Sequence, residues 1–269
     1  MSETFTADWL ALREPVDHRS RSNGLLSTLG AWWGTTGGSR IADLGSGTGS
    51  NLRYLAPRLS GVQEWTLVDH DAALLARAEP VGRVTRLERV VGNLAQEGLE
   101  VARGADLVTG SALLDLVSET WLTRLTDACR STRCGMLFAL SFDGLIKWSD
   151  SDPDDRLVRD AVNAHQRRDK WLGPALGPTA GEVAERSFRA AGYRTWRVPT
   201  PWRLGSGDAA LAQSLVDSWA RAAEEEFPAR AGRVRTWAER RQRTILEGAF
   251  VLIVGHVDLL ALPGDVASL

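Results

Sequence analysis

The run Arg40-Ile41-Ala42-Asp43-Leu44-Gly45-Ser46-Gly47-Thr48-Gly49-Ser50 constrains this chain more than any other stretch. It reads as a short apolar strand carrying an acid near its end, then a turn with glycines at 45, 47 and 49, then a helix. Glycines in such a turn permit positive φ and let a ligand approach the backbone closely. A dinucleotide fingerprint needs Gly-x-Gly-x-x-Gly, which this spacing does not supply.

The centre of the chain alternates strand and helix. Strands are predicted at Ile41–Leu44, Trp65–Val68, Thr85–Val91, Ala105–Thr109 and Met136–Leu140. Helices are predicted from about Ser50 to Leu59, over Ala72–Ala78, and from about Glu119 to Arg130. That rhythm argues for a parallel sheet covered on both faces. Before it, helix is plausible for Phe5–Leu12 and Asn23–Trp33, with Gly34, Gly37 and Gly38 breaking the chain. After it come predicted helices at Pro153–Lys170 and Thr179–Ala191, and a strand at Tyr193–Val198. Two helices broken near Pro228 fill 207–247, and a last strand spans Ala249–Leu260. Pro153 suits a helix start and Gly192 a helix end.

The glycine spacing, with Asp43 just before it and Asp69 20 residues after Gly49, resembles motif I and the following acidic position of the class I S-adenosylmethionine (SAM)-dependent methyltransferases. The resemblance covers about 39–140 well and the later strands loosely. It implies an α/β fold: a three-layer Rossmann-like sheet of seven strands, the last antiparallel, with helical insertions. Residues 1–38 then form an N-terminal helical cap. Residues 39–269 form the methyltransferase domain, with insertions at about 144–178 and 207–247.

The resemblance also implies a cofactor, SAM, leaving as S-adenosylhomocysteine (SAH). SAM has no phosphate, but its carboxylate can accept free amides at the turn of Gly45, Ser46, Gly47 and Gly49. Asp43 suits the ammonium group. Asp69, with His70 beside it, takes the ribose hydroxyls, and Asp71 caps the next helix. Asn93 and Leu94 stand where relatives contact adenine; Asn93 replaces the usual acid and can still accept and donate. The segment Gly110–Asp115 runs under the sulfonium, where small Ser111 and Ala112 leave room and Leu113 or Leu114 covers adenine.

Methyl transfer is an in-line substitution that depends on alignment and on a deprotonated acceptor. The polar cluster at 163–170 offers His165 as base, with Asp169 at i,i+4 to hold the imidazole. Gln166 and Lys170 could orient a substrate. A solvated helix with local ion pairs explains the same residues. Asp17, His18, Arg19 and Arg21 in the cap, and Ser141, Phe142 and Asp143 after the fifth strand, are weaker candidates. His256 and Asp258 share a face of the last strand, where a buried, hydrogen-bonded histidine is the simpler reading. Of 11 tryptophans, Trp148, Trp171 and Trp202 near loops and Trp32 and Trp33 in the cap either line an acceptor pocket or pack the core.

A net charge of -2 gives no footprint for a polyanion, so no nucleic-acid partner is expected. No apolar run reaches membrane-span length, and four histidines with two cysteines form no metal-ligand motif. Met1–Leu12 lacks a basic region followed by an apolar core, and Cys129 and Cys134 read as reduced, so a cytoplasmic protein is expected. The leading expectation is a monomer or homodimer methylating a small molecule. RNA or protein methylation is the alternative, although no Asn-Pro-Pro-Tyr type signature follows the fourth strand. A non-catalytic SAM-binding interaction protein is the third.

Overall fold

A computed structural model describes residues 5–264; positions 1–4 of the expected cap and 265–269 of the expected domain lie outside them. The first half holds α1 (Ala7–Ser20), α2 (Asn23–Thr36), β1 (Arg40–Leu44), α3 (Ser50–Leu55), β2 (Gln63–Asp69) and α4 (Ala72–Leu75). Next come β3 (Val84–Val91), α5 (Glu97–Gly104), β4 (Leu107–Ser111), α6 (Glu119–Thr132) and β5 (Gly135–Trp148). The remainder holds α7 (Asp155–His165), α8 (Ala180–Ala190), β6 (Tyr193–Pro199), β7 (Trp202–Leu204), α9 (Ala209–Glu226), α10 (Ala231–Glu247) and β8 (Leu252–Pro263).

The strands form one sheet in the order β3-β2-β1-β4-β5-β8-β6, with β7 as an additional short partner of β8. β1 to β5 pair in parallel, whereas β8 runs antiparallel to β5, β6 and β7. The centre of the sheet is β1, whose Ile41, Ala42 and Leu44 are buried, as befits a strand covered on both faces. β3 lies at an edge and shows charged Arg86, Glu88 and Arg89, which discourage pairing with another chain.

Apolar side chains sort the helices into layers. Leu25, Leu29, Trp33, Leu52 and Leu75 pack on one face against Ile41, Trp65 and Leu107. On the other face Leu99, Trp121, Leu125 and Phe188 pack against Leu44, Val108 and Phe138. A third cluster joins α7, α9 and α10 to the far ends of β5 and β8 through Trp148, Val158, Trp219, Trp237 and Val254. Buried Arg241 stacks over Trp148 at 4.5 Å and donates to Asp150 and Asp155, while Arg240 holds Asp152 and Asp154. The aspartate run is therefore the anchor of α10.

Several elements depart from the sequence reading. α1 continues through Pro15 to Ser20. α5 was hidden by Gly98 and Gly104, which look like turn residues. β5 passes Leu140 through a bulge: Leu140 adopts φ +54° and donates its amide to Asp258 Oδ1 at 2.9 Å. Gly144, at φ +91°, gives a second irregularity. The expected helix Pro153–Lys170 is the shorter α7. Cys129 and Cys134 are both free and buried. Among the described residues no helix is long and apolar enough to cross a membrane.

Candidate active site

The backbone leaves β1 in a left-handed turn, with Gly45, Gly47 and Gly49 at φ +64°, +52° and +80°. A Cβ on Gly45 would meet Leu113 at 3.2 Å and one on Gly47 would meet Leu10 at 3.0 Å, so bare backbone faces both neighbours. Gly49 has a different task, since its Cβ would meet Ala78 at 2.9 Å behind the turn. The Gly47 amide donates to Asp69 Oδ2 at 2.8 Å, and the Asp71 amide donates to Asp69 Oδ1 at 3.0 Å. His70 Nδ1 lies 3.2 Å from the same oxygen. Asp71 accepts from the amides of Ala73 and Leu74 at the start of α4.

Asp43 is fully buried behind the turn. Its Oδ1 accepts from Asn51 Nδ2 at 2.8 Å, whereas Oδ2 has no partner. Burial pushes its carboxyl up to about 7; Asn51 and the Arg21 charge oppose this, and the Asp69 charge adds to it. Asn51 also donates to Thr109 Oγ1 at 2.9 Å and accepts from Arg21 at 3.0 Å. One amide side chain thus ties the end of α1 to two central strands.

α1 roofs the turn. Arg53 donates to the Thr48 carbonyl and to Glu14, and His18 Nε2 lies 3.1 Å from the Ser50 carbonyl oxygen. Asp17 accepts from Arg13 and from Trp202 Nε1, and Arg19 pairs with Asp208. Beneath this roof lies a cleft of about 1210 Å³, counting its open mouth. Asp43, Gly45, Ser46, Gly47, Asp69, His70, Leu94 and Ser111 border it together, joined by Leu10 and Arg13 from α1. Trp171, at φ +61°, stands at the mouth with its ring 5.9 Å from His70.

Asn93 departs from the adenine-facing expectation. Its Oδ1 accepts the amides of Ala95 and Gln96, both at 2.9 Å, in a local turn on the exposed side. Leu94 reaches the cleft instead. Gly-Asn is a turn pair here because Asn satisfies its own following amides.

A second cavity adjoins the first, and the two share Phe5, Arg13, Ala112 and Leu116 as walls. Trp9, Phe142, Trp202, Trp219 and Val254 give it apolar sides, and Asp115, His165, Gln166, Glu225 and His256 supply polar groups. The expected pairing of His165 with Asp169 does not occur within one helix. α7 ends at His165, and Asp169 instead forms a strand-like bridge with Pro174. His165 Nε2 faces Glu225 Oε2 of α9 at 3.3 Å.

Burial drives the carboxyl of Asp115 up to about 6, against the charges of Arg13 and Lys170 and hydrogen bonds from backbone amides. Burial drives His256 down to about 3, aided by the Arg13 charge, so its imidazole is neutral. His256 Nδ1 lies 3.1 Å from the Val254 carbonyl oxygen. Asp258 accepts from the amides of Ser22 and Leu140 and from Thr200. It is a structural hub. Among the described residues no cluster of histidine, cysteine and acids could hold a metal ion.

No protein-family model and no curated protein matches this chain. Solved structures do resemble it. A cyclopropane-fatty-acyl-phospholipid synthase-like protein from Lactobacillus casei superposes at TM-score 0.53 and 15% identity, over 97% of this chain and 95% of its own. A SAM-dependent methyltransferase from Geobacter sulfurreducens, in complex with SAH, superposes at 0.47 and 17% identity, over 96% and 99%. A cyclopropane synthase from Mycobacterium tuberculosis does so at 0.49 and 11%, over 96% and 94%. The fold is the Rossmann-like methyltransferase fold.

On this methyltransferase fold the glycine turn and Asp69 stand at the carboxyl ends of adjacent strands, where open α/β sheets bind ligands. Sequence reasoning missed the cleft's roof residues Leu10 and Arg13 and the hub Asn51, whereas Trp171, one of the loop tryptophans it named, does line the cleft. Asn51 carried a signal, being an amide in the first turn after the glycines. Leu10 and Arg13 carried none, because α1 reaches the cleft only through tertiary packing. Asp115 closed the segment singled out after β4, yet nothing in sequence marked it as buried.

Proposed function

We propose that this protein transfers a methyl group from SAM to a small-molecule acceptor by in-line substitution, releasing SAH. One observation carries the reading: a cleft edged by the glycine turn, Asp43 and Asp69 adjoins a second chamber, with which it shares walls at Ala112 and Leu116. The residues present suit the donor. Asp43 Oδ2, buried without a partner, offers an acceptor for an ammonium group. Asp69 keeps unused lone pairs for ribose hydroxyls even while it receives amides. Side chains at Gly45 and Gly47 would crowd that space.

SAM supplies an electrophilic methyl group; the chain supplies alignment. Asp43, the turn and Asp69 hold the two ends of the donor, α1 excludes water from above, and Ser111 with Ala112 leaves room for the transfer. His165, oriented by Glu225 rather than by Asp169, serves the acceptor from the chamber's wall. Two buried free thiols accord with a reducing, cytoplasmic setting.

Incubation with methyl-labelled SAM and a panel of small amines, phenols and carboxylic acids tests the reading. Label should pass to at least one class, and Asp69→Ala should slow transfer. SAH binding without transfer to any small nucleophile, but with label on RNA or protein, would favour the alternative acceptors.

A further inference from the structure

Asp115 follows β4 on the single turn Leu114–Leu116. It is 6% exposed, and its Oδ1 has no hydrogen-bond partner. Ala112 and Leu116, on either side of it in the chain, line both cavities, whereas His165 lines the chamber alone. Asp115 itself lines the chamber, in the chain between two residues whose side chains both cavities share.

Arg221 of α9 also lines the chamber, and the charges of Arg13 and Lys170 reach Asp115. Several of the remaining charged groups are engaged with neighbours. Glu225 takes Arg168 and His165, and Asp217 takes Gln242. Arg13 pairs with Asp17 and lies over Trp202 at 4.9 Å. His256 is neutral. Gln166 Oε1 is a second buried acceptor without a partner on the same cavity. Two unsatisfied acceptors ask for a ligand rich in N–H donors, since a buried acceptor is costly to leave unpaired. The ring faces of Trp9, Phe142, Trp202 and Trp219 suit both an aryl group and a cation.

Resting on the reading that the adjoining cleft holds SAM, we propose that the chamber takes a small arylalkylamine and that Asp115 binds its ammonium and accepts its proton. One N–H proton passes to the Asp115 carboxylate, which frees the nitrogen lone pair. That pair forms the new N–CH3 bond as the C–S bond breaks, its electrons staying on sulfur to give the thioether SAH. The product leaves as an N-methylammonium ion, and Asp115 returns its proton to water. An unactivated alcohol is too weakly acidic for a carboxylate to deprotonate, so the same geometry serves an amine and not an aliphatic hydroxyl.

Calorimetric titration of the SAH-loaded protein with 2-phenylethylamine and with 2-phenylethanol tests this assignment. The amine should bind about tenfold tighter or better, a difference of about 1.4 kcal/mol. Asp115→Asn should erase the preference while SAH affinity stays within about twofold, a sign that the fold is intact. Equal binding of the two probes, binding of neither, or a preference that survives Asp115→Asn would overturn it. If Asp115→Asn does not fold, the comparison of probes on the wild type decides alone. If SAH fails to bind, the titrations are run on the free protein; an amine preference lost in Asp115→Asn would then uphold the chamber assignment and sink only the methyl-transfer reading.

Discussion

The Gly47 amide and Asp69 Oδ2 lie 2.8 Å apart, so the turn after β1 and the acid ending β2 form one unit. This bond fixes the distance between the two ends of the cleft before any ligand arrives. Beside the ribose contact proposed for it, the Asp69 carboxylate holds the turn in its left-handed shape.

Asp69→Ala removes the acceptor for two amides and, on the proposed reading, for the ribose. Hydrogen bonds to charged groups contribute about 1.5–3 kcal/mol each, so SAH affinity should fall by at least roughly tenfold. Calorimetric titration measures this directly. Affinity within about twofold of wild type would remove Asp69 from the site.

Asp43 should lose a proton when ligand binds. Burial raises its carboxyl to about 7, so at pH 6.5 it is largely protonated in the free protein. An arriving ammonium group favours the carboxylate. The ligand's own α-amine, with a pKa of about 8, is already charged at that pH. Titrating SAH in buffers of different ionisation enthalpy should report release of on the order of half a proton. Asp43→Asn should abolish it. Net uptake in the wild type would contradict the ammonium contact.

Arg241→Ala should be among the most damaging substitutions far from the cleft. It leaves Asp155 without its buried cation and uncovers Trp148. Breaking a buried pair costs about 3–5 kcal/mol, and each kcal/mol lowers the melting temperature of a chain this long by roughly 2–4 °C. Circular dichroism should therefore show a drop of more than about 6 °C. A shift under about 2 °C would show that the aspartate run does not anchor α10.

His256 should cost the folded state stability in acid. Its pKa is depressed in the fold, to about 3, so the unfolded chain binds the extra proton first and stability is lost as pH falls below about 6.5. Asp43 and Asp115, raised by burial, act in the opposite sense over about pH 4–7. The comparison that isolates the histidine is wild type against His256→Gln in urea. From pH 6 to 4 the wild type should lose up to about 1.4 kcal/mol per pH unit relative to the variant. Parallel profiles would mean that His256 is not held neutral.

What the sequence disclosed was local. The strand–turn–helix at 40–50 and the acid at 69 are covalently close patterns, and both stand in the structure at neighbouring strand ends. The five parallel strands follow from apolar runs that need no tertiary knowledge. What stayed hidden depends on contacts across long separations. Trp202 reaches Asp17 over 185 positions, and Leu140 reaches Asp258 over 118. The fifth strand is predicted to end at Leu140, yet β8 draws Ser141-Phe142-Asp143-Gly144 into β5 as an irregular strand. His165 and Asp169 looked like a helical pair because nothing in their spacing showed that the helix stops between them. Asn93 looked like a ligand contact because an asparagine serves a turn and a base edge equally well.

The most direct test is a crystal structure of the protein with SAH. The homocysteine end should lie against Gly45–Gly47 with its ammonium group at Asp43, and both ribose hydroxyls should fall within hydrogen-bond distance of Asp69. SAH bound anywhere else, or absent from this cleft at saturating concentration, would contradict the account.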